Sequence, residues 1–412
     1  MNNYPLPELL APVGDEERLN TAIEYGADAV YLGSDRFGMR SAAASFGGEA
    51  LKKACELAHK NGVRVYLTCN TIPRNNEIDA LPEFLEYAKD AGVDALIVTD
   101  LGVMTAALKY APGTEIHIST QAGVTNYATA TELYNMGAKR IVTARELSLE
   151  EIAGIRAKCP KELEIECFVH GAMCVSFSGR CLMSNYLTGR DSNRGDCAQP
   201  CRWRYSLMEE KRPGVYFPIE QDESGTYVFN SKDMCMLEHI PEMYAAGINS
   251  FKIEGRAKSA YYAASAINAY RCALDDFKNS GFDPLYKPKQ WIIDEPLKQS
   301  NREYCTGFYF SSPMDDAHIY YAGGYNRLWD VMAIAEKYEN GVLYCSQRNR
   351  FFEGDELEIM FKGKEPAKVK VKNMKNAEGE PIENCPHPMM QLSFDCDIEV
   401  PAGSYLRKAR DE

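Results

Sequence analysis

Residues 8–33, ELLAPVGDEERLNTAIEYGADAVYLG, have the sequence pattern of a strand, a helix and a second strand. Its ends, ELLAPV (8–13) and DAVYLG (28–33), are short and almost continuously apolar, whereas the segment between them spaces its apolar residues three and four positions apart. A continuously apolar strand is buried on both faces, as in a parallel sheet that helices cover. The stretch therefore predicts one β/α unit of a parallel α/β fold.

The same alternation continues through the first two thirds of the chain. Six further apolar runs are VRVYLT (63–68), DALIVT (94–99), EIHIST (115–120), RIVTAR (140–145), EIECFVHG (164–171) and SFKIEG (250–255). Helical segments that end at or near glycine separate most of them. Eight such units predict a TIM-type (β/α)8 barrel, with an open doubly wound sheet as the second choice.

The domain organisation follows from length and from a change of pattern. At 412 residues the chain exceeds what one hydrophobic core usually organises. The tail consists of short alternating strands between turn residues, which indicates a small antiparallel domain. We predict a barrel over 1–285 with a cysteine-rich insertion over 171–249 after strand seven, a linker over 286–330, and a C-terminal all-β, barrel-like domain over 331–412.

Charge and hydropathy limit the partners and the compartment. The chain has 46 Lys and Arg against 59 Asp and Glu, so a site for nucleic acid must be a local basic surface. The segment MNNYPLPELLAPVG has neither a cationic nor a long apolar stretch, and no window approaches the roughly 18 apolar residues of a membrane helix. We expect a cytoplasmic protein without a membrane partner.

Polar residues gather where the predicted strands end. Because the carboxyl ends of barrel strands converge on one face, they predict a polar pocket there, although each one alone is more often a hydrogen-bonded loop residue. His117, Gln121, Lys252 and Arg256 are the candidates for binding a base or a metabolite.

Five of the fourteen cysteines lie close together in the sequence, at positions 174, 181, 197, 201 and 235. A four-iron cluster needs four thiolates and accepts varied spacing. Structural zinc prefers close pairs, which only Cys197 and Cys201 approach. Two other interpretations are a catalytic thiol with a base such as His170 and plain burial in the core. The spacing leaves all four open.

The beginning of the insertion is also locally basic. Residues 171–208 contain Arg180, Arg190, Arg194, Arg202 and Arg204 with Trp203 and Tyr205 between them. Guanidinium groups contact phosphate and aromatic faces stack unpaired bases, so Arg202 and Arg204 are candidate RNA contacts. Lys368, Lys370 and Lys372 would share one strand face, which is more often edge protection or solvation than an RNA contact.

One stretch resembles a known family. The pattern Glu166-x-Phe168-x-x-Gly171-Ala172-Met173-Cys174-x4-Gly179-x-Cys181-x-Met183-Ser184 is similar, at every specified position, to the signature of the collagenase-like peptidase U32 family. RGDCAQPCRWRY (194–205) and the stretch at 8–33 are similar as well. The resemblance extends from about residue 6 to 277 and into the tail, and is strongest to the subgroup that hydroxylates tRNA.

The resemblance implies a function. Better understood members hydroxylate RNA bases or the ubiquinone ring with a four-iron cluster, whose ligands by motif are Cys174, Cys181, Cys197 and Cys235, with Cys201 as a substitute for Cys197. The subgroup makes 5-hydroxyuridine at the wobble position of the tRNA anticodon arm and depends on prephenate. The implied protein is a 4Fe-4S tRNA uridine hydroxylase that binds tRNA and prephenate or a related metabolite. The sequence leaves open a partner subunit of the same family.

Two other functions remain as alternatives. The family label implies a U32-type peptidase, although the chain has neither a G-x-S-x-G elbow nor an H-E-x-x-H helix. A non-catalytic RNA-binding or scaffold protein would use a metal only for structure. No residue is singled out as catalytic.

Overall fold

The computed structural model describes residues 4–38, 46–173, 181–192, 196–202, 220–222, 225–227, 232–310 and 326–410. The strands as far as the C-terminal domain are β1 Glu8–Pro12, β2 Ala29–Gly33, β3 Arg64–Cys69, β4 Ala95–Val98, β5 Glu115–Ile118, β6 Arg140–Val142, β7 Glu164–Ala172, β8 Glu220–Asp222, β9 Gly225–Tyr227, β10 Asp233–Cys235, β11 Ser250–Ile253 and β12 Tyr304–Cys305. The helices are α1 Glu16–Glu24, α2 Glu49–Lys60, α3 Asn75–Ile78, α4 Leu81–Asp90, α5 Leu101–Tyr110, α6 Tyr127–Asn135, α7 Leu149–Lys158, α8 Met183–Thr188, α9 Ile240–Ala245, α10 Ala260–Asn279 and α11 Gln290–Asp294.

Local sequence explains where the helices begin. Asp15 caps α1 by accepting a hydrogen bond from the backbone N–H of Arg18, and Ser259 caps α10 in the same way. Ser148 and Glu151 form a reciprocal capping box at α7. Such caps satisfy backbone N–H groups that the first turn of a helix leaves without a partner. Within the described residues no helix is both long and apolar enough to cross a membrane.

The barrel is closed by strand pairing. β1 to β7 pair in parallel in sequence order, and β11 pairs in parallel with both β1 and β7. All eight apolar runs of the sequence become these strands, with ends that differ by up to three residues. The predicted TIM-type barrel is confirmed, and the pairing of β11 with both neighbours excludes the open sheet.

β7 is longer than the other barrel strands and leads into the insertion. Its last residues, His170 to Ala172, pair antiparallel with β10, and β10 pairs in parallel with β12. Arg302 donates two hydrogen bonds to the buried Asp233 carboxylate at the start of β10, over 2.7 and 3.1 Å. The insertion and the segment after α11 are therefore joined to the rim of the barrel.

The barrel interior contains a chain of charges. Glu166, fully buried, accepts hydrogen bonds from Lys252 Nζ at 2.7 Å and Arg140 Nη1 at 3.0 Å. Arg140 Nη1 also contacts Glu8 Oε1 at 2.6 Å, and Tyr66 donates its hydroxyl proton to Glu8 Oε2. Barrel interiors are usually packed with branched apolar side chains. Burying a charged side chain without a partner costs free energy of folding. Each charge of this chain therefore requires the opposite charge beside it.

The tail folds as an antiparallel sheet in the spatial order β16-β15-β19-β13-β14-β18-β17. Its strands are β13 Trp329–Glu339, β14 Val342–Gln347, β15 Glu356–Met360, β16 Ala367–Lys370, β17 Lys375–Asn376, β18 Gln391–Asp395 and β19 Tyr405–Ala409. Register shifts in β13 bend the sheet around a separate apolar core that includes Phe351, Phe394 and Leu406. This curved antiparallel sheet with its own core confirms the predicted small all-β domain.

One buried ion pair connects the two domains. Arg407 of β19 contacts both carboxylate oxygens of Glu295, at 2.5 and 2.7 Å, and both side chains are fully buried. The same guanidinium contacts Glu358 of β15 and the hydroxyl of Tyr261 in α10. Arg407 therefore joins the β domain to the barrel.

We expect Arg407→Leu to lower the free energy of unfolding by roughly 3–5 kcal/mol, because it leaves the buried Glu295 carboxylate without its partner. Urea unfolding followed by circular dichroism measures the change. The matched control is Lys368→Gln, which removes one cation from the exposed pair with Glu356 and should cost less than about 1 kcal/mol. Equal effects of the two substitutions would show that the interdomain pair contributes no more than a surface pair.

We expect Glu166→Gln to destabilise the protein in a pH-dependent way. Lys252 and Arg140 lower the pKa of Glu166 to about 2 from 4.5, despite the opposing effect of burial. The ionised Glu166 carboxylate contributes its full stabilisation of the folded state above about pH 4.5. This contribution is lost as the pH falls toward 2. The variant should be less stable by on the order of 3 kcal/mol at pH 7 and by less at pH 3.

Urea unfolding at pH 7, 5, 4 and 3 measures this difference. The control is Glu162→Gln, at an exposed carboxylate. A constant difference between wild type and Glu166→Gln over this range would contradict the proposed role of the charge.

Candidate active site at the carboxyl end of the barrel

The carboxyl end of the barrel brings cations against two aromatic rings. Lys252 Nζ lies 4.5 Å from the ring centre of Tyr31 and 5.5 Å from that of Phe168. The guanidinium of Arg145 lies 4.1 Å from the Phe168 ring centre, and that of Arg256 lies 5.8 Å from Tyr31. Cations over ring faces are attracted by the ring quadrupole. The mouth therefore has an aromatic and cationic floor.

Arg256 and Lys252 are buried and held in place. Arg256 donates a hydrogen bond to the hydroxyl of Thr68 over 3.2 Å, and Lys252 donates to Glu166. They are 8% and 4% exposed, so neither moves freely in solvent. Both predicted residues lie together at the mouth, where they suit a planar ligand with negative charge or carbonyl oxygens.

Gln121 has an amide without a hydrogen-bond partner in the described structure. Both Nε2 and Oε1 are buried, and the side chain lines a cavity of about 770 Å³ beside Thr99 and Asp100. Leu133 and Met136 form apolar parts of its wall. A primary amide offers one donor edge and one acceptor edge, so Gln121 can bind a ligand that presents the complementary pair.

His117 lies deeper in the barrel than the other candidates. Its side chain is fully buried, its ring meets Tyr66 edge-on at 4.7 Å, and Nε2 lies 3.2 Å from Glu115 at the amino end of β5. Burial lowers the pKa of His117. The structure thus places this neutral ring under the mouth, next to the buried ion pairs.

His170 occupies a cage of tyrosines at the end of β7. The rings of Tyr262, Tyr270 and Tyr304 lie 5.3–5.8 Å from its own, and Nε2 is 3.1 Å from Gln299 Nε2. Burial lowers the pKa of His170 to about 4. Nδ1 has no hydrogen-bond partner among the described atoms. The hydrogen bonds given for the described histidine rings go to carboxylates, an amide and a tyrosine hydroxyl, and none goes to a cysteine or serine side chain.

Most cysteines are core residues, because free cysteine packs as a small hydrophobe. Cys55, Cys69, Cys159, Cys167, Cys272, Cys305, Cys345, Cys385 and Cys396 are all buried. The described cysteines of the insertion differ, since Cys197 is exposed and Cys181, Cys201 and Cys235 are half-buried. Among them, Cys197 is the thiol most accessible to a metal or a reagent.

The predicted ligand set is only partly described. Cys174 lies outside the described residues, and within them no three His, Cys, Asp or Glu side chains lie close enough to bind one metal ion. Cys235 Sγ is 3.8 Å from the Tyr270 hydroxyl, and burial raises the pKa of this thiol to about 11. Thiols are the donor set that iron-sulfur clusters require, so the chemistry of these residues fits the predicted group while their assembly stays a prediction.

The segment between the cysteines is tied together by short contacts. Ser192 donates its hydroxyl proton to the carbonyl of Cys181 over 2.6 Å, and Ser184 accepts from the N–H of Ala198. The backbone N–H of Gln199 donates to Cys197 Sγ over 3.3 Å. These contacts hold the backbone around Cys181 and Cys197 in a defined conformation.

The predicted RNA contacts are divided between described and undescribed residues. Arg204 and the side chain of Arg202 lie outside the described part, as do Arg180, Arg194, Trp203 and Tyr205. Arg190 is ion-paired with Asp196 over 2.7 Å. Lys368 and Lys370 are exposed on β16, the outer strand of the described sheet, and Lys368 pairs with Glu356. This arrangement favours edge protection for the lysine stripe.

Sequence reasoning missed Glu166, Tyr31 and Phe168 as parts of the mouth. The signal for Glu166 was present, because a carboxylate within the apolar run EIECFVHG has to face a cation. No such signal marks Tyr31 and Phe168, because an aromatic residue is common in any buried strand.

Comparison with known proteins identifies the family. Residues 14–318 match the model of Peptidase family U32, and residues 327–407 match that of the Peptidase family U32 C-terminal domain. The chain is 34% identical over 406 residues to tRNA hydroxylation protein P1 of Bacillus subtilis, covering 98% of this chain and 95% of the relative.

Two further relatives show the range of names in the family. An uncharacterized protease of Methanocaldococcus jannaschii is 44% identical over 306 residues, 74% of this chain and 73% of its own. tRNA hydroxylation protein P of Escherichia coli is 34% identical over 423 residues, 92% of this chain and 91% of its own. These names support an enzymatic role. With both of its domains matched, the chain belongs to peptidase family U32.

Proposed function

We propose that this chain is a cytoplasmic tRNA-modifying enzyme that hydroxylates the wobble uridine of the anticodon arm to 5-hydroxyuridine. The observation that carries the proposal is the mouth of the barrel, where Lys252, Arg145 and Arg256 surround the rings of Tyr31 and Phe168. The rings hold the cations in place, and guanidinium groups are among the features that bind an unstacked base. The near full-length similarity to tRNA hydroxylation protein P1 supports the same substrate class.

Gln121 is suited to read the edge of the base. Uracil presents an N–H donor beside a carbonyl acceptor, and the amide of Gln121 offers the complementary acceptor and donor. Both amide atoms lack partners within the described structure, so a bound base would satisfy them. An enzyme that acts on a base must take it out of the stack, and a concave barrel end can receive it.

The chemistry requires a redox cofactor and a co-substrate. Hydroxylation replaces the C5–H bond of uracil by C5–OH, which adds one oxygen atom and removes two electrons from the ring. The reaction therefore needs an oxygen-donating oxidant as a co-substrate. We assign Cys174, Cys181, Cys197 and Cys235 as ligands of a four-iron cluster, which supplies electron transfer when bound. Lys252 and Arg256 are our assignment for the carboxylates of a metabolite such as prephenate.

A U32-type peptidase is the second candidate, because the relative from Methanocaldococcus is named a protease. Cysteine proteases use a thiol activated by a nearby base. In the described residues each histidine whose ring nitrogens make a contact meets a carboxylate, an amide or a tyrosine hydroxyl instead of a thiol. The barrel mouth gives greater support to RNA modification.

Nucleoside analysis tests the substrate. In a strain from which the gene and any related gene have been deleted, plasmid-borne wild type should restore tRNA 5-hydroxyuridine, and Gln121→Leu should restore at most a tenth of it. Gln121→Asn is the conservative comparison and should retain part of the activity. Restoration by Gln121→Leu at the wild-type level would remove Gln121 from base recognition. Absence of 5-hydroxyuridine with wild type, together with gelatin cleavage, would favour the peptidase.

Thiol protection tests the cofactor. After anaerobic reconstitution with iron and sulfide, Cys174, Cys181, Cys197 and Cys235 should resist iodoacetamide while Cys201 reacts, because bound thiolates are not free nucleophiles. In the metal-free protein the exposed Cys197 should be alkylated readily. Mass spectrometry of peptides locates the label. Cys201→Ser should keep the visible absorbance and Cys197→Ser should lose it, and the reverse result would make Cys201 the third ligand.

A further inference from the structure

A cleft of about 610 Å³ lies between the barrel and the β domain. One wall comes from residues 257–262, which follow β11 and begin α10, and the other comes from the start of β13 and from Arg348 and Asn349 after β14. Gln299 and Ser300 also line it. Neither domain forms this cleft alone.

The cleft is basic, in contrast to the chain as a whole. Five cationic side chains and two carboxylates line it, a difference of three positive charges in a protein with a net charge of −13. The cations are Arg18, Lys258, Arg327, Arg348 and Arg410, and the carboxylates are Glu17 and Asp330. A local cationic surface of this kind attracts polyanions even when the whole molecule does not.

Two of these cations have no carboxylate partner within the described residues. Arg348 donates its hydrogen bonds to the hydroxyl and carbonyl of Ser346 and to the carbonyl of Gln347. Arg327 is exposed. In contrast, Arg410 forms a two-point ion pair with Asp330, over 2.6 and 2.8 Å. Arg327 and Arg348 can therefore bind an external anion without first breaking an ion pair.

The cleft adjoins the mouth of the barrel through a short loop. Arg256, whose guanidinium contacts Thr68 inside the mouth, is two residues before Lys258, which lines the cleft. Two residues span at most about 7 Å of chain. A polymer that lies in the cleft can thus place its adjacent unit at the mouth.

We propose that this interdomain cleft binds the phosphate backbone of the RNA segment next to the modified nucleotide. The inference rests on the proposed function for its choice of an RNA substrate. An extended polyanion fits better than a compact one, because the cations come from both domains and are distributed along an open cleft. Arg407 and Glu295 fix the two walls relative to each other, so the cations are arranged before the RNA binds.

The test compares two double variants that each remove two positive charges. Arg327→Gln with Arg348→Gln removes two cations of the cleft for which the described residues supply no carboxylate partner. Arg350→Gln with Lys364→Gln is the control, at exposed residues of the same domain that do not line the cleft. Binding of fluorescent anticodon stem-loop RNA is measured by anisotropy at several KCl concentrations, with uridine or cytidine at the wobble position.

Each phosphate contact contributes about 0.7–0.9 to the slope of log K against log salt, so the cleft variant should lower the slope by about 1.5 for both RNAs. The control should match wild type. A cleft variant with the wild-type slope overturns the proposal, as does an equal loss in the control. If the cleft variant binds RNA normally but loses thermal stabilisation by prephenate, the cleft is a small-anion site and the proposal fails.

Comparing the salt slope with the formation of 5-hydroxyuridine separates this proposal from the proposed function. A loss of slope with both RNAs, in a protein that makes no 5-hydroxyuridine, would support the cleft and contradict the hydroxylase. If a cleft variant forms 5-hydroxyuridine and keeps the wild-type slope, the result would support the hydroxylase and contradict RNA binding by the cleft.

Discussion

The structure depends on one carboxylate enclosed in the barrel. Glu166 has no solvent to stabilise its charge, so it requires the ammonium of Lys252 and the guanidinium of Arg140. Arg140 extends the chain of charges to Glu8 at the amino end of the barrel, and Lys252 extends it to the aromatic rings at the mouth. Lys252, which we assign to ligand binding, is therefore held in place by the same contacts that stabilise the barrel interior.

A second buried carboxylate, that of Glu295, fixes the β domain to the barrel. Glu295, after α11, meets Arg407 of the β domain with both side chains excluded from water. Asn268 of α10 adds hydrogen bonds to the carbonyl of Phe361 and the N–H of Gly363. Because these contacts are buried and directional, the β domain has a defined position beside the barrel mouth. A defined position is what a binding cleft made from two domains requires.

The chemistry of the site differs from that implied by the family label. Peptide hydrolysis through a thiol needs a base in contact with it. His170, the nearest candidate in the sequence, is instead enclosed by tyrosines and kept neutral by burial. The carboxyl end of the barrel offers cations fixed against aromatic rings, and Gln121 has an amide without hydrogen-bond partners among the described residues. The hydroxylation that we propose would also require a redox cofactor, and we propose that the cysteines of the insertion hold it.

The eight apolar runs with helices between them predicted a parallel α/β fold with a barrel as the first choice, because such runs are buried on both faces of a parallel sheet. The pairing of β11 with both β1 and β7, which no local pattern encodes, closes the barrel. The sequence also predicted that polar side chains such as Lys252 and Arg256 meet where strands end. The partners of these charges follow from the folded structure alone. Glu166 and Lys252 are 86 positions apart and Glu295 and Arg407 are 112 apart. No local pattern encodes such pairs, since their attraction depends on distance and burial that exist only after the chain has folded.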